Sequence, residues 1–155
     1  MSPDQRFLVQ TTIADREFYF VIKDAQTGLV SRLPSDYFPM LVLEWSPDSK
    51  TILAVAHASM TSLIGLIHWD GSRWLHFEID DPENGENDKF HVVGWEFKAG
   101  YIKATCVVNN RTDNGRSLNL YRCTFHIDPT NGKTSEVVKT AITQKEYLSL
   151  RTDLN

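Results

Sequence analysis

Hydrophobic and polar residues alternate in short runs along almost the whole chain, and such runs predict β-strands rather than helices. Clusters rich in Pro, Gly, Asn and Asp separate the runs, and these residues favour turns. A spacing of ~8–12 residues between short strands is typical of all-β sandwiches, barrels and propellers. The predicted strands are Phe7–Thr12, Phe18–Lys23, Leu41–Trp45, Ile52–Ala56, Leu63–Trp69, Trp74–Ile79, Phe90–Trp95, Tyr101–Val108, Leu118–Ile127 and Ser135–Thr140.

The C-terminal tail is the exception to the strand pattern. Residues 143–152 read TQKEYLSLRT, which suits a short helix. Thr143 stands where a helix N-cap is expected, and Glu146 stands three residues later, at the capping-box position. We therefore expect one short C-terminal helix on an otherwise all-β chain.

An internal repeat organises the strands. The segment SPDQRFLV at 2–9 matches SPDSKTIL at 46–53, an offset of 44 residues. A degenerate third copy begins near Val93, and a strand that ends in an Asp- and Gly-containing turn follows each copy. The repeat predicts a single domain, 1–155, with units at about 1–40, 41–89 and 90–142 and a tail at 143–155.

These repeats resemble blades of β-propellers, of the WD-repeat and periplasmic propeller kinds. The resemblance is carried by WSPDSKTI at 45–52 and by the DAQTG turn at 24–28. A closed propeller has at least four blades of ~40 residues. The chain has room for only two to three antiparallel propeller-like blades, so we predict an incomplete, open propeller. Its exposed edges must be covered by the tail, by a second copy or by a partner.

The first unit begins at its SPD turn, without the leading strand that corresponds to Leu41–Trp45 in the second unit. We expect that strand, together with an export leader, to lie upstream of Met1. This predicts a periplasmic protein, with a cytoplasmic protein as the alternative.

Charge is distributed unevenly. The 155 residues include 16 Lys and Arg and 20 Asp and Glu, for a net charge of −4, which argues against nucleic-acid binding. No apolar run approaches the ~20 residues of a membrane-spanning helix, so we expect no membrane insertion. Six of the acids lie in EIDDPENGEND at 78–88. The rest of the chain has 14 acids and 16 bases and is therefore slightly basic. The segment at 78–88 is a solvated connection, or an acidic prong that meets a basic partner or caps a cationic cleft, with calcium binding as the remaining alternative.

The two cysteines lie in two neighbouring predicted strands. Antiparallel pairing with Val108 opposite Tyr121 also places Cys106 opposite Cys123. Directly opposite residues are close enough for a disulfide, which would indicate an oxidising compartment. The alternative is a pair of buried thiols that act as small hydrophobic side chains.

Motifs for catalysis or cofactor binding are absent from the sequence. There is no nucleophile elbow, phosphate-binding loop or dinucleotide fingerprint, and the five histidines lack the spacing of a zinc site. We therefore expect no cofactor, no metal and no enzymatic activity. Glu44, Asp70 and Glu96 lie near strand ends and keep a carbohydrate-active enzyme as a third hypothesis.

Binding is thus the expected class of function. In size, acidity and strand content the chain resembles small bacterial immunity proteins, which neutralise toxic effectors of the type VI secretion system, such as peptidoglycan-degrading enzymes. The resemblance implies a cognate toxin as partner and a loop that occludes its active site. The loops that could do this are the acidic loop Asp80–Asp88, the tip of the Asn109–Arg116 hairpin and His57–Ser62. Trp69 and Trp74 flank a turn and are further candidates. The candidate partner-binding residues are Asp80, Asp81, Glu83, Glu86, Asp88, Asn110, Arg111, Asp113, Trp69 and Trp74.

The alternative function is a structural or adaptor module. A propeller fragment of this kind completes its sheet with a strand from another chain, and a homodimer is one form of such a completion.

Overall fold

The structure is a computed structural model that describes residues 1–35, 41–57, 61–79, 89–111 and 118–152. Within these ranges the chain forms eleven strands in three antiparallel sheets and one C-terminal helix. The expected all-β fold class is confirmed. The described part of the chain has three sheets, fewer than the four of the smallest closed propeller.

Each sheet is a meander in which neighbours in sequence are neighbours in space, the arrangement of a propeller blade. The first sheet has the order β1-β2-β3, the second β4-β5-β6-β7 and the third β11-β10-β9-β8. The strands are β1 (Phe7–Ala14), β2 (Glu17–Asp24), β3 (Val30–Ser35), β4 (Leu41–Trp45), β5 (Thr51–His57), β6 (Ser62–Trp69), β7 (Trp74–Ile79), β8 (Lys89–Lys98), β9 (Tyr101–Arg111), β10 (Leu118–Ile127) and β11 (Thr134–Ala141).

Strand β3 was not predicted from the sequence. Its sequence, VSRLPS, contains Pro34, which lacks a backbone N–H and argues against a central strand. The structure places β3 at the edge of the first sheet, where a proline can direct its missing N–H away from the neighbouring strand.

Helix α1 (Gln144–Thr152) begins with the predicted capping box. The backbone N–H of Glu146 donates to Thr143 Oγ1 at 3.2 Å, and the N–H of Thr143 donates to Glu146 Oε2 at 2.8 Å. This second hydrogen bond holds the pKa of Glu146 below its usual range. The prediction of a short C-terminal helix is confirmed.

The chain divides into two compact units. The first comprises Met1–Ala56 and Ile64–Glu78, and the second comprises His57–Leu63 and Ile79–Asn155. Aromatic and aliphatic side chains from the first and second sheets form the core of the first unit. Its buried members are Phe7, Phe20, Ile22, Ile52, Ala54, Ala56, Ile67 and Trp74.

The second unit contains the two cysteines in the predicted register. Cys106 pairs with Cys123, and Val108 pairs with Tyr121, in the β9–β10 ladder. The disulfide itself is not present, so that prediction is corrected: both side chains are buried thiols. The strand register alone accounts for the placement of the two cysteines opposite each other. A buried thiol packs as a small apolar group and needs no covalent bond.

The two SPD turns have the same hydrogen bonds. In the first, Ser2 Oγ donates to Asp4 Oδ1 at 2.6 Å and accepts the N–H of Phe7 at 2.8 Å. In the second, Ser46 Oγ donates to Asp48 at 2.6 Å and accepts the N–H of Thr51 at 2.9 Å. The repeat therefore corresponds to a repeated turn structure.

We predict that Ser46→Ala lowers the free energy of unfolding by about 1–3 kcal/mol, because it leaves the buried N–H of Thr51 without its acceptor. Urea denaturation followed by tryptophan fluorescence measures the change. Ser72→Ala is the matched control: its hydroxyl lies in an exposed turn, and a change within about 0.5 kcal/mol is expected. Equal stability of S46A and the wild type would contradict the role given to Ser46.

Candidate functional site

In the part of the chain that the structure describes, strand β1 pairs with another strand on one side only. In the first sheet it pairs with β2, while β5, its counterpart at the offset of 44 residues, lies between β4 and β6. Among the described residues, no strand occupies the position beside β1 that β4 occupies beside β5. Within the described ranges, the side of β1 remote from β2 is therefore an open sheet edge, called here the β1 edge.

The start of the strand determines which backbone groups the β1 edge presents. The carbonyl of Arg6 accepts the N–H of Ala25 at 2.7 Å, on the side of β2. Both backbone polar groups of Phe7 instead bond Ser2 on the opposite side. Because consecutive residues of a strand direct these groups to opposite sides, the β1 edge presents the N–H and C=O groups of Val9, Thr11 and Ile13.

The side chains along this edge are largely open to solvent. Gln10, Thr11 and Thr12 are exposed, and the Ile13 side chain is 61% exposed. An open groove of about 710 Å³ adjoins the strand in the first unit. It is lined by Gln10, Thr11, Thr12, Val21, Arg32 and Leu43.

The β1 edge lacks the features that usually prevent edge strands from pairing. Charged residues, prolines and bulges normally protect such edges. The sequence of β1, FLVQTTIA, has no charge and no proline, and its pairing with β2 continues without a register shift. The other five edge strands, β3, β4, β7, β8 and β11, each carry at least one charged residue. Sequence reasoning missed this contrast, although the uncharged run FLVQTTIA was its available signal.

An aromatic cluster anchors the start of β1. The Phe7 ring lies 4.9 Å from Trp74, 5.7 Å from Trp69 and 6.4 Å from Trp45, measured between ring centroids. The Arg6 guanidinium lies 4.6 Å from the centre of the Phe7 ring. Contacts of this kind add to the stabilisation from burial, so the first residues of β1 are held firmly.

Arg6, directly before β1, also bonds the end of β2. Its Nη2 lies 2.9 Å from Asp24 Oδ2, and the other Asp24 oxygen accepts the N–H of Gln26 at 2.8 Å. The Arg6 hydrogen bond is the main reason that the pKa of Asp24 lies below its usual range. Asp24 therefore fixes both the DAQTG turn and the Arg6 side chain.

The candidate partner-binding residues are placed as follows. Asp80, Asp81, Glu83, Glu86, Asp88 and Asp113 lie outside the described residues, and Arg111 is described only as the last residue of β9. Trp74 is 7% exposed and Trp69 is partly buried, with their rings 5.3 Å apart in the aromatic cluster.

Asn110, in β9, is half-buried, and its Oδ1 has no hydrogen-bond partner among the described residues. The two tryptophans are the only candidates that the described residues bring together. They serve the core of the first unit, so we assign neither an anchor role on the surface.

Side chains with catalytic potential have structural roles. Ser62 Oγ accepts the N–H of Val92 at 3.0 Å and lies 3.1 Å from His57 Nδ1, whose pKa is lowered by burial. Asp70 accepts backbone N–H groups from Arg73 and Ser72, which lower its pKa to about 2. Glu96 forms an ion pair with Lys98. These groups therefore stabilise strand pairing and turns.

Two kinds of feature are absent from the described ranges. They contain no cluster of three or more His, Cys, Asp and Glu side chains arranged to hold a metal ion. No helix in the described part is long and apolar enough to span a membrane.

Comparison with known proteins gives similarity in structure only. No family model matches the chain, and no curated protein matches its sequence. Pyrococcus horikoshii acylaminoacyl peptidase is similar over 87% of this chain and 23% of its own, with 13% identity and a TM-score of 0.45. A protein described as TolB from Agrobacterium tumefaciens is similar over 90% of this chain and 48% of its own, with 18% identity and a TM-score of 0.38. The chain thus spans less than half of each of these structures.

We predict that Arg6→Met raises the pKa of Asp24 toward the ordinary aspartate value, because it removes the hydrogen bond that lowers it. A lowered carboxyl pKa stabilises the fold above the usual pKa, and this stabilisation is lost as the pH falls through the lowered value. R6M should therefore lose less stability on acidification than the wild type does.

Carbon-13 NMR titration of the side-chain carboxyls measures the pKa. Glu146, whose pKa depends on Thr143, serves as the internal control and should titrate unchanged. An unchanged Asp24 pKa in R6M would contradict the assignment.

Proposed function

We propose that the chain is a binding protein rather than an enzyme, and that it takes up an extended strand from a partner along the β1 edge. This is the adaptor function, in which a sheet is completed by another chain. The observation that carries the proposal is an uncharged edge strand in a three-stranded sheet, whereas the other two described sheets have four strands each. Addition of a strand to an open edge is a recurring mode of peptide recognition.

The second sheet provides a template for the bound strand. There β4 runs antiparallel to β5, with Glu44 opposite Leu53 and Val42 opposite Val55. Leu53 and Val55 correspond to Val9 and Thr11 at the offset of 44 residues. A bound strand with the pattern of LVLEW would accordingly exchange backbone hydrogen bonds with Val9 and Thr11.

The outward face of the first sheet supports binding at the edge rather than on the face. Gln10, Thr12, Lys23 and Arg32 are exposed and point to this face, since they alternate with the core residues Val9 and Ile22. Leu8, Val21 and Val30 lie on the same face, so polar and apolar side chains alternate across it. Within the described residues, the open hydrogen-bonding groups of the first sheet are the backbone N–H and C=O groups along the β1 edge.

We predict that a fluorescent peptide with the sequence LVLEWS, flanked by lysines for solubility, binds the protein with a micromolar dissociation constant. Thr11→Pro should weaken binding by about tenfold or more, because it removes an N–H that faces the bound strand. Thr11→Val keeps the backbone and is the matched control, expected to bind within about twofold of wild type. Fluorescence anisotropy measures the dissociation constants, and circular dichroism checks that each variant is folded.

A second peptide keeps the experiment decisive if T11P fails to fold. N-methylation of the peptide at alternate residues removes the hydrogen bonds from the peptide side and should abolish binding to the wild-type protein. Equal binding of the methylated and unmethylated peptides would overturn the proposal.

A second candidate function is inhibition of a secreted bacterial toxin, with the protein in the periplasm. It is supported by the concentration of six acids at 78–88 on a chain whose other residues are slightly basic. An acidic prong of this kind would bind a basic active-site cleft, and the attraction would weaken as salt rises.

We predict for this candidate that the chain inhibits a peptidoglycan hydrolase encoded by the adjacent reading frame. Neutralisation of Asp80, Asp81 and Glu83 to Asn, Asn and Gln should raise the inhibition constant about tenfold or more, and so should high salt. Release of peptidoglycan fragments measures the inhibition. Neutralisation of Asp15, Glu17 and Glu136, which are exposed elsewhere, is the control with the same change in charge. Loss of inhibition in both variants alike, or no inhibition by the wild type, would contradict this function.

A further inference from the structure

We infer that the strand taken up along the β1 edge is β1 of a second copy of this chain, which gives a symmetric antiparallel dimer. The inference rests on the proposed function, since it names the partner for the same edge. It is carried by the self-complementarity of β1 in sequence, charge and hydrogen-bonding direction.

The hydrogen-bonding direction permits pairing about a two-fold axis at Thr11. The groups that face the open side belong to Val9, Thr11 and Ile13, so alternate residues of both copies face each other. With Thr11 opposite the partner's Thr11, Val9 lies opposite the partner's Ile13, and the reverse pair is formed by symmetry. Each of these pairs then exchanges backbone hydrogen bonds, as hydrogen-bonded pairs do in antiparallel ladders.

The side chains match in the same register. On one face, Val9 lies opposite the partner's Ile13, which gives the 61% exposed Ile13 side chain an apolar neighbour. On the other face, Gln10 lies opposite the partner's Thr12, so that polar side chains meet there. If the register shifted by one residue, residues whose backbone groups bond β2 would lie opposite residues whose groups face the partner. The hydrogen bonds between the two copies could then not form.

Charge favours β1 over the other edges as the self-pairing strand. Each copy has a net charge of −4, so pairing must occur where like charges do not meet. β1 carries no charged residue, whereas β11 has Glu136 and Lys139, and Glu136 has a positive φ of 52° that interrupts a regular ladder. β3 has both Arg32 and Pro34.

The dimer would also remove the unprotected edge. Two three-stranded sheets would join into one sheet with β3 at each end, where Arg32 and Pro34 oppose further pairing. Pairing therefore stops at two copies. This gives a closed assembly, as expected for a contact that uses the same surface on both copies.

Sedimentation velocity over a range of protein concentrations tests the association, with T11P and T11V as the variant and its control. We expect a reversible monomer–dimer equilibrium for wild type and T11V, and a dissociation constant at least about tenfold higher for T11P. Thr11→Cys tests the register without disturbing the strand. Directly opposite Cα atoms in a hydrogen-bonded pair lie ~5.5 Å apart, within the disulfide range, so mild oxidation should produce a covalent dimer of T11C.

Two controls belong to the cross-linking experiment. Thr27→Cys places a thiol in an exposed turn away from β1, and the wild type reports on its two buried cysteines; neither should form the covalent dimer. Wild-type protein that stays monomeric at all concentrations but binds LVLEWS would overturn the dimer and leave the strand-binding function standing. If the wild-type protein neither dimerises nor binds LVLEWS, both the dimer and the strand-binding function are overturned. A dimer that T11P leaves intact, and in which T11C does not cross-link, uses another surface and overturns the inference.

Discussion

The hydrogen bonds of Ser2 and Ser46 are the constraint on which the first unit depends. Each serine hydroxyl binds the carboxylate of its SPD turn and the first backbone N–H of the strand that follows. The N–H of Asp4 also donates to Ser49 Oγ at 3.0 Å, which joins one turn to the other. Because a strand alternates, fixing Phe7 on the Ser2 side determines the direction of every later residue of β1. The identity of the residues on the open edge is therefore a consequence of the turn.

The aromatic cluster also fixes where the start of β1 lies. Phe7, whose backbone bonds Ser2, also carries the ring that packs against Trp45, Trp69 and Trp74. Backbone hydrogen bonding and apolar burial thus act on the same residue, Phe7. The later half of β1 has neither, since Thr11 and Ile13 are exposed. β1 is consequently anchored at one end and exposed at the other, which suits a strand that is preformed for pairing.

The sequence predicts the local elements well, because alternation and turn chemistry are local properties. The Cys106–Cys123 register and the Thr143–Glu146 capping box follow from such patterns, and both are confirmed. β3 was missed because Pro34 is acceptable only at an edge, and edge position is a property of the whole sheet. The prediction of a disulfide was wrong because strand pairing brings two thiols together without determining whether they form a bond. The groove beside β1 depends on Val21, Arg32 and Leu43 from three other strands, so no single segment of sequence contains it.

The β1 edge can hold one strand at a time, so a second copy excludes any other partner strand, and this sets the strength that the pairing needs. The edge offers the backbone groups of three residues, and a net hydrogen bond contributes only about 0.5–1.5 kcal/mol. Association at this edge is therefore weak enough to be reversible, even with the apolar contact of Ile13. A dimer held in this way protects the uncharged strand from uncontrolled pairing while no partner is present. A partner strand must then compete with the second copy, and it succeeds only if its side chains pack against Val9 and Ile13 better than those of β1 do.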